Sequence, residues 1–289
     1  MGLNKLKTIL EMIKFEHTIF ALPFAYVGMI LGSMEQFGHL PTWGQFFWIT
    51  MAMVGARSAA MALNRLIDRT IDKLNPRTAN RAIPAGKIGT NEVVIFIIGS
   101  FLLLFIAAWN LSDLALKLLP IAVFVLVLYS YTKRFTWTCH FILGIAIGLA
   151  PLGAWVAVTN EITYPAVILF ISVALWTAGF DIIYATQDME FDKKYGLYSI
   201  PSRFGLKTSL IFARVIHGVT ILGLFYLFFI THLGWWYLIG VIVANFILHY
   251  EHSIISPNDM SRLDTAFFTM NGILSVVIFI FTSIDLVMK

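Results

Sequence analysis

The chain has 289 residues, 59% hydrophobic and only 12% charged, with a net charge of +4 and a mean hydropathy of +0.82. Soluble domains are about half apolar and a quarter charged, so this composition excludes a soluble protein and places the chain in the integral-membrane class. The small positive balance is that of basic loops beside apolar spans and gives no basis for a nucleic-acid partner. One cysteine, Cys139, excludes an internal disulfide and a thiolate metal site, and reads as a small buried hydrophobe.

The N-terminus has no short apolar core followed by a small-residue cleavage site, so no removable signal is expected. Residues 1–16 instead carry Leu3, Leu6, Ile9, Leu10 and Ile13 at helical spacing, with Lys5, Lys7 and Lys14 between them. That pattern predicts a helix lying at the membrane surface. A spanning helix needs about 20 mainly apolar residues. Nine candidates follow in chain order: 18–36, 43–64, 91–110, 112–131, 138–158, 162–183, 209–231, 233–250 and 265–287. The seventh and eighth are separated only by Thr231–Leu233.

Lys and Arg concentrate in alternate loops: before the first span and after the second, fourth, sixth and eighth. Basic loops face the cytoplasm, so the N-terminus is expected inside and the C-terminus outside, which requires an odd number of spans. The predicted fold is an all-α polytopic membrane bundle of nine transmembrane helices, one domain over residues 1–289. No Pro/Ser-rich or low-complexity linker interrupts it.

The chain has 16 acidic residues, and six of them fall in two places. Asp68 and Asp72 follow the second span. Asp181, Asp188, Glu190 and Asp192 lie at and after the end of the sixth. Residues at i, i+4 and i+8 share a helix face, so Asn64, Asp68 and Asp72 form a stripe of oxygen donors at the membrane boundary. Arg57 extends that stripe into the span. Asp181, Asp188 and Asp192 form a second stripe on the same side. A solvated, charged helix end explains one such motif; two on one side, both among cations, point to a shared site. Oxygen donors without His or Cys suit Mg²⁺, commonly held by a few carboxylates plus substrate phosphates. Arg77, Arg81, Lys133 and Arg134 around these acids make sense if the metal carries a diphosphate.

Three blocks then carry a family resemblance. "NRLIDRTID" with "RTANRAIPAG" (77–86), "YSYTKRFT" (129–136) and "DIIYATQDMEFDKKYGLYSIPSRFG" (181–205) resemble, in order, the signatures of the UbiA superfamily of intramembrane prenyltransferases. Its 4-hydroxybenzoate polyprenyltransferase branch is the most similar. The resemblance implies a nine-helix bundle open to lipid and Mg²⁺-dependent transfer of a polyprenyl group from its diphosphate to an aromatic ring. It implies a first metal–diphosphate site at Asn64, Asp68 and Asp72 and a second at Asp188 and Asp192, with Asp181 nearby. Lys133, Arg134, Arg77 and Arg81 would hold the diphosphate. Arg65 stands where many relatives have Asp, but it lies off the stripe. Glu190 points away from Asp188 and Asp192.

The implied chemistry needs the leaving diphosphate neutralised and the allylic cation shielded from water. Phe, Trp and Tyr, 15% of the chain, supply apolar and cation-stabilising faces. An arginine inside a span is costly and faces a cavity, so Arg57 is expected on the polar cavity, toward the acceptor carboxylate or the metal-site acids. Lys14 and His17 are weaker acceptor-site candidates. Gly144, Gly148, Gly153 and Ala154 around Pro151 allow either close helix packing or a cavity wall. His140, His217, His249 and His252 show no metal-ligand spacing.

The acceptor stays open between 4-hydroxybenzoate, for ubiquinone synthesis, and 1,4-dihydroxy-6-naphthoate, for menaquinone synthesis, the latter because of "FEHTIFALPFA" and "FDIIYATQD". The expected location is a bacterial inner membrane, with the site toward the cytoplasm. Outside the enzyme class stands a cation-coupled transporter, although such carriers place acids near the midplane on broken helices.

Overall fold

The computed structural model describes residues 3–14 and 22–288. His17 and the predicted start of the first span lie outside the described residues. Thirteen α-helices follow in chain order: α1 (Leu3–Met12), α2 (Leu22–Phe37), α3 (Trp43–Ile67), α4 (Arg69–Leu74), α5 (Thr90–Trp109), α6 (Asp113–Thr132), α7 (Cys139–Thr159), α8 (Tyr164–Ala185), α9 (Met189–Tyr195), α10 (Ile200–Phe204), α11 (Leu206–Ile230), α12 (Trp235–Ser253) and α13 (Asn271–Val287). A 3₁₀ turn, Thr186–Asp188, joins α8 to α9, and a π-helical segment, Thr265–Met270, leads into α13. Among the described residues there is no β-strand, only an isolated bridge between Ser256 and Asp259.

Among the described residues, seven helical segments are long and apolar enough to cross a membrane. They begin at Trp43, Thr90, Asp113, Cys139, Tyr164, Leu206 and Thr265. α2 and α12 occupy the remaining two predicted places. The described part of α2 has 16 residues, and α12 ends on His249, Glu251 and His252, so neither meets the same measure.

Local sequence fixes the helix ends. Thr42 and Gln45 form a reciprocal capping box at the start of α3, and Ser112 accepts from the Ala115 amide to start α6. Trp43, Trp109, Tyr164 and Trp235 are all exposed and lie at helix ends opposite the acidic motifs, as in the aromatic belt of a membrane interface. α7 and α8 are central and pack on each other, with α2 against α7, α11 against α8 and α5 against α3. Close approach needs the small residues. A Cβ on Gly144 or Gly148 would meet the carbonyls of Ala174 or Phe170 on α8, and one on Gly28 the Pro151 carbonyl. Gly153 has open space beside it and lines the main cavity with Ala154.

The N-terminal segment packs on the bundle. It is helical, but Ile9 and Ile13 are buried in a cluster with Ala62, Ile83, Val93 and Ile97. Part of the apolar face of α1 is therefore covered by protein, from α3, α5 and the loop before α5, while Leu6 stays exposed.

Candidate active site

The two acidic motifs meet at one end of the bundle, and residues between them in sequence bind them together. Lys133 and Arg134 leave the end of α6 as neighbours. Arg134 Nη2 lies 2.7 Å from Asp68 Oδ1, and Lys133 Nζ lies 2.8 Å from Asp192 Oδ1. Arg77 donates through Nε to Asp188 Oδ1 at 3.0 Å and through Nη2 to Asp188 Oδ2. Asn75 Nδ2 donates to the same Oδ1 at 2.9 Å. Arg81 Nη1 reaches both oxygens of Asp72, at 2.7 and 2.8 Å. Four carboxylates thus face four cations, one each; Arg77 crosses from the first motif to Asp188 of the second, and Lys133 and Arg134 hold one acid of each.

The first motif is not the continuous helical stripe that its spacing predicts. α3 ends at Ile67, and Asp68 takes φ −86°, ψ 1° before α4 begins. The ladder nonetheless passes through the break, since the Asp68 amide donates to the Asn64 carbonyl at 2.9 Å and the Asp72 amide to the Asp68 carbonyl at 2.7 Å. Asn64 Nδ2 then donates to Asp68 Oδ2 at 3.0 Å. The second motif is also broken, by the turn at Thr186–Asp188. Asp188 and Asp192 stay together, while Asp181 turns to His140, with Oδ2 2.7 Å from Nδ1. The Ile200 amide donates to His140 Nε2 at 3.2 Å, so that nitrogen accepts and Nδ1 carries the hydrogen toward Asp181. Glu190 is exposed and pairs with Lys193 at 3.2 Å, away from the other acids.

Burial sets the electrostatics. It pushes the Asp68 carboxyl above the usual carboxylate range, against the lowering pull of Arg134. Burial also pulls the Lys133 ammonium down, but Asp192 more than reverses this, and the net shift is upward.

Behind these pairs lies a cavity of about 970 Å³. Asn64, Arg65, Arg77, Arg81 and Asp181 stand at its polar end. Its apolar walls reach Ile49 on α3, Leu111 after α5 and Ile162 before α8. Asn64 and Ile49 are 15 residues apart on one helix, roughly 22 Å of rise. Arg57 lines the cavity with a buried Nε that has no hydrogen-bond partner. Lys14 also lines it, with Nζ 5.2 Å from the centre of the Phe268 ring. One wall is aromatic: Tyr184 stacks on Phe267 at 4.1 Å, and Phe180 lies between Phe267 and Trp176.

Several of these groups escape sequence reasoning. Asn75, between the two parts of the first quoted block, and Tyr129, which lines the cavity, carry no charge to single them out. Arg65, off the acidic stripe, still lines the cavity and lies 3.4 Å from Asn64 Oδ1. His140 on α7 is 41 residues from Asp181 on α8, and only packing joins them.

The UbiA prenyltransferase family model matches residues 21–273. The chain belongs to the UbiA prenyltransferase family. As a UbiA-family prenyltransferase, it is an enzyme, and family membership decides against the transporter reading. A 4-hydroxybenzoate octaprenyltransferase from Vibrio campbellii is 29% identical over 265 residues, covering 90% of this chain and 88% of that one. One from Vesicomyosocius okutanii is 32% identical, covering 80% and 84%. A solved UbiA homolog from Aeropyrum pernix superposes with a TM-score of 0.84 at 29% identity, covering 93% of this chain and 98% of that one. A homolog from Archaeoglobus fulgidus, solved with DMAPP and Mg²⁺, shares the fold at a TM-score of 0.74 and 18% identity, covering 98% and 100%.

Proposed function

We propose that this UbiA-family member transfers a polyprenyl group from its diphosphate to the ring of a carboxylated phenol of the 4-hydroxybenzoate type, using Mg²⁺. The single observation that carries the reading is the matched set of four carboxylates and four cations, two of whose cations, Arg77 and Arg81, stand at the polar end of a long apolar cavity. The names of the Vibrio and Vesicomyosocius relatives support the acceptor class.

The donor set fits Mg²⁺: Asn64, Asp68, Asp72, Asp188 and Asp192 offer only hard oxygens, at a place also rich in Arg and Lys. Bound there with the diphosphate, Mg²⁺ would neutralise charge on the leaving group. Arg77, Arg81, Lys133 and Arg134, now held by the carboxylates, would turn to the diphosphate oxygens as the acids take the metal. Arginine forks suit phosphate oxygens in pairs. The prenyl tail would run along the apolar wall toward Leu111 and Ile162. The aromatic wall of Phe180, Tyr184 and Phe267 would exclude water from the allylic carbon and stabilise its positive charge.

Arg57, with its unpartnered Nε on the cavity, is suited to the acceptor carboxylate, with Lys14 at the rim. Asp181 and Glu11 are the carboxylates that line the cavity. Asp181 is the one fixed by a histidine, and the ring proton released on attack would pass to its carboxylate. Nine spans, with the N-terminus and the site on the cytoplasmic side of a bacterial inner membrane, complete this reading, supported by the loop charges and the aromatic belt.

The test is product formation. Purified protein with Mg²⁺, a polyprenyl diphosphate and 4-hydroxybenzoate is expected to yield the ring-prenylated acid, read by chromatography and mass. Prenylation of 1,4-dihydroxy-6-naphthoate in its place would assign the menaquinone branch. No product with either acceptor would refute the reading.

A further inference from the structure

Away from the mouth, the bundle interior holds a second group of ligand-type side chains. His217 on α11 and Glu251 and His252 on α12 each offer an atom within 4.8 Å of the other two. All three are buried, Glu251 completely. His217 Nδ1 lies 3.0 Å from His252 Nε2 and 3.9 Å from Glu251 Oε1.

The orientation of His217 is fixed from behind. Its Nε2 lies 3.1 Å from the Trp176 carbonyl. A carbonyl only accepts, so Nε2 carries the hydrogen and Nδ1 presents a lone pair to the cluster. Metal-bound histidines are oriented in the same way, by a hydrogen bond from the other ring nitrogen. Glu251 supplies the independent observation. Neither of its carboxylate oxygens has a hydrogen-bond partner. The Asn271 side chain approaches it as a hydrogen-bonding group but not in hydrogen-bond geometry, and its amide donates instead to the carbonyls of Ala266 and Phe267, at 3.1 and 3.0 Å. Arg214 donates to the His252 carbonyl at 3.2 Å and forms no ion pair with Glu251. A buried carboxylate without a partner is costly, and a cation placed between it and the imidazoles removes that cost.

We propose that His217, Glu251 and His252 form a second metal centre, for a transition ion of the Zn²⁺ class and distinct from the Mg²⁺-type mouth. Two imidazoles and one carboxylate are a zinc ligand set. Tetrahedral ligands about 2.0–2.1 Å from zinc stand about 3.4 Å from one another, and the observed 3.0 and 3.9 Å bracket that spacing. The ion would join α11 and α12 and, through His217 and the Trp176 carbonyl, α8. Trp176 in turn donates from Nε1 to Asn271 Oδ1 at 2.7 Å, and both line the cavity. The role of the centre is therefore to hold that wall in place, outside the chemistry.

Co²⁺ is the probe. The full chain in detergent is stripped with EDTA, dialysed and titrated with Co²⁺, reading the visible d–d bands, with metal content measured in parallel by mass spectrometry. One Co²⁺ per chain, displaced by Zn²⁺, is expected in the wild type and in the Asp68→Asn/Asp192→Asn protein, and is expected to be lost in Glu251→Gln and His252→Gln. Retention in both of those variants, or loss in the mouth variant alone, would overturn the proposal. Should the cluster variants fail to fold, the stripped Asp68→Asn/Asp192→Asn protein gives the answer by melting. Zn²⁺ is expected to raise its Tm by several degrees, because a ligand that binds only the folded state stabilises it. No rise would mean that the cluster is a hydrogen-bonded histidine pair beside a protonated Glu251.

Discussion

Asp192 and Glu251 are both fully buried, yet only Asp192 has a fixed cation beside it, Lys133 at 2.8 Å. Asp192 shares its end of the bundle with three other acids, each with its own Arg partner. Glu251 has two imidazoles and no Arg or Lys. The difference lies in the neighbours and not in the burial. A carboxylate paired with a flexible lysine or arginine can exchange that partner for a metal while the cation moves to a phosphate. One enclosed by imidazoles can only take a proton or share an ion with them. The first arrangement suits a site that loads and releases substrate, the second a permanent structural centre.

The largest effects should come from the mouth. Asp68→Asn and Asp192→Asn are each expected to lower kcat/KM by at least about 10²-fold, with helicity by circular dichroism unchanged. The same amide change at Glu251 should show first in Tm; a loss of turnover as complete as that of D192N, at unchanged Tm, would erase the contrast. Chelation separates the two regions in a second way. EDTA is expected to take turnover to background and added Mg²⁺ to restore it, read as prenylated product; activity that persists in EDTA would remove the metal from the mouth.

A smaller effect is expected at Arg57. Losing a charge-assisted hydrogen bond costs about 1.5–3 kcal/mol, so Arg57→Ala should raise KM for the aromatic acid roughly 10- to 100-fold and leave KM for the prenyl diphosphate nearly unchanged. Equal rises in both would move Arg57 from the acceptor to the diphosphate. The smallest effect belongs to Glu190, exposed and paired only with Lys193. Glu190→Gln should change turnover by less than about twofold, since exposed pairs contribute little; a larger loss would draw Glu190 into the acid set.

Much of the fold is legible in the sequence because a membrane leaves few choices. Apolar runs of spanning length must be helices, since every backbone group has to be satisfied within the segment. The predicted span at 43–64 accordingly appears as α3 and the one at 112–131 as α6. α12 is harder, because its aromatic start and polar end dilute the hydropathy on which the reading depends. The acidic motifs are legible as charge in a chain poor in charge. The breaks at Asp68 and at Thr186–Asp188 are not, because neither Gly nor Pro marks them.

The sequence by itself determined the class of molecule, the end of the bundle that carries the charge, and the acid and base types at the mouth, because hydropathy and charge act locally along a chain. Only the tertiary structure decided which cation holds which acid, that His140 holds Asp181, and that His217 meets Glu251 and His252. Those partners lie 41 residues apart for His140 and Asp181 and 35 for His217 and His252. No helical period relates such positions. They meet because α7 packs on α8, and α11 on α8 and α12, through faces whose shapes no single segment encodes.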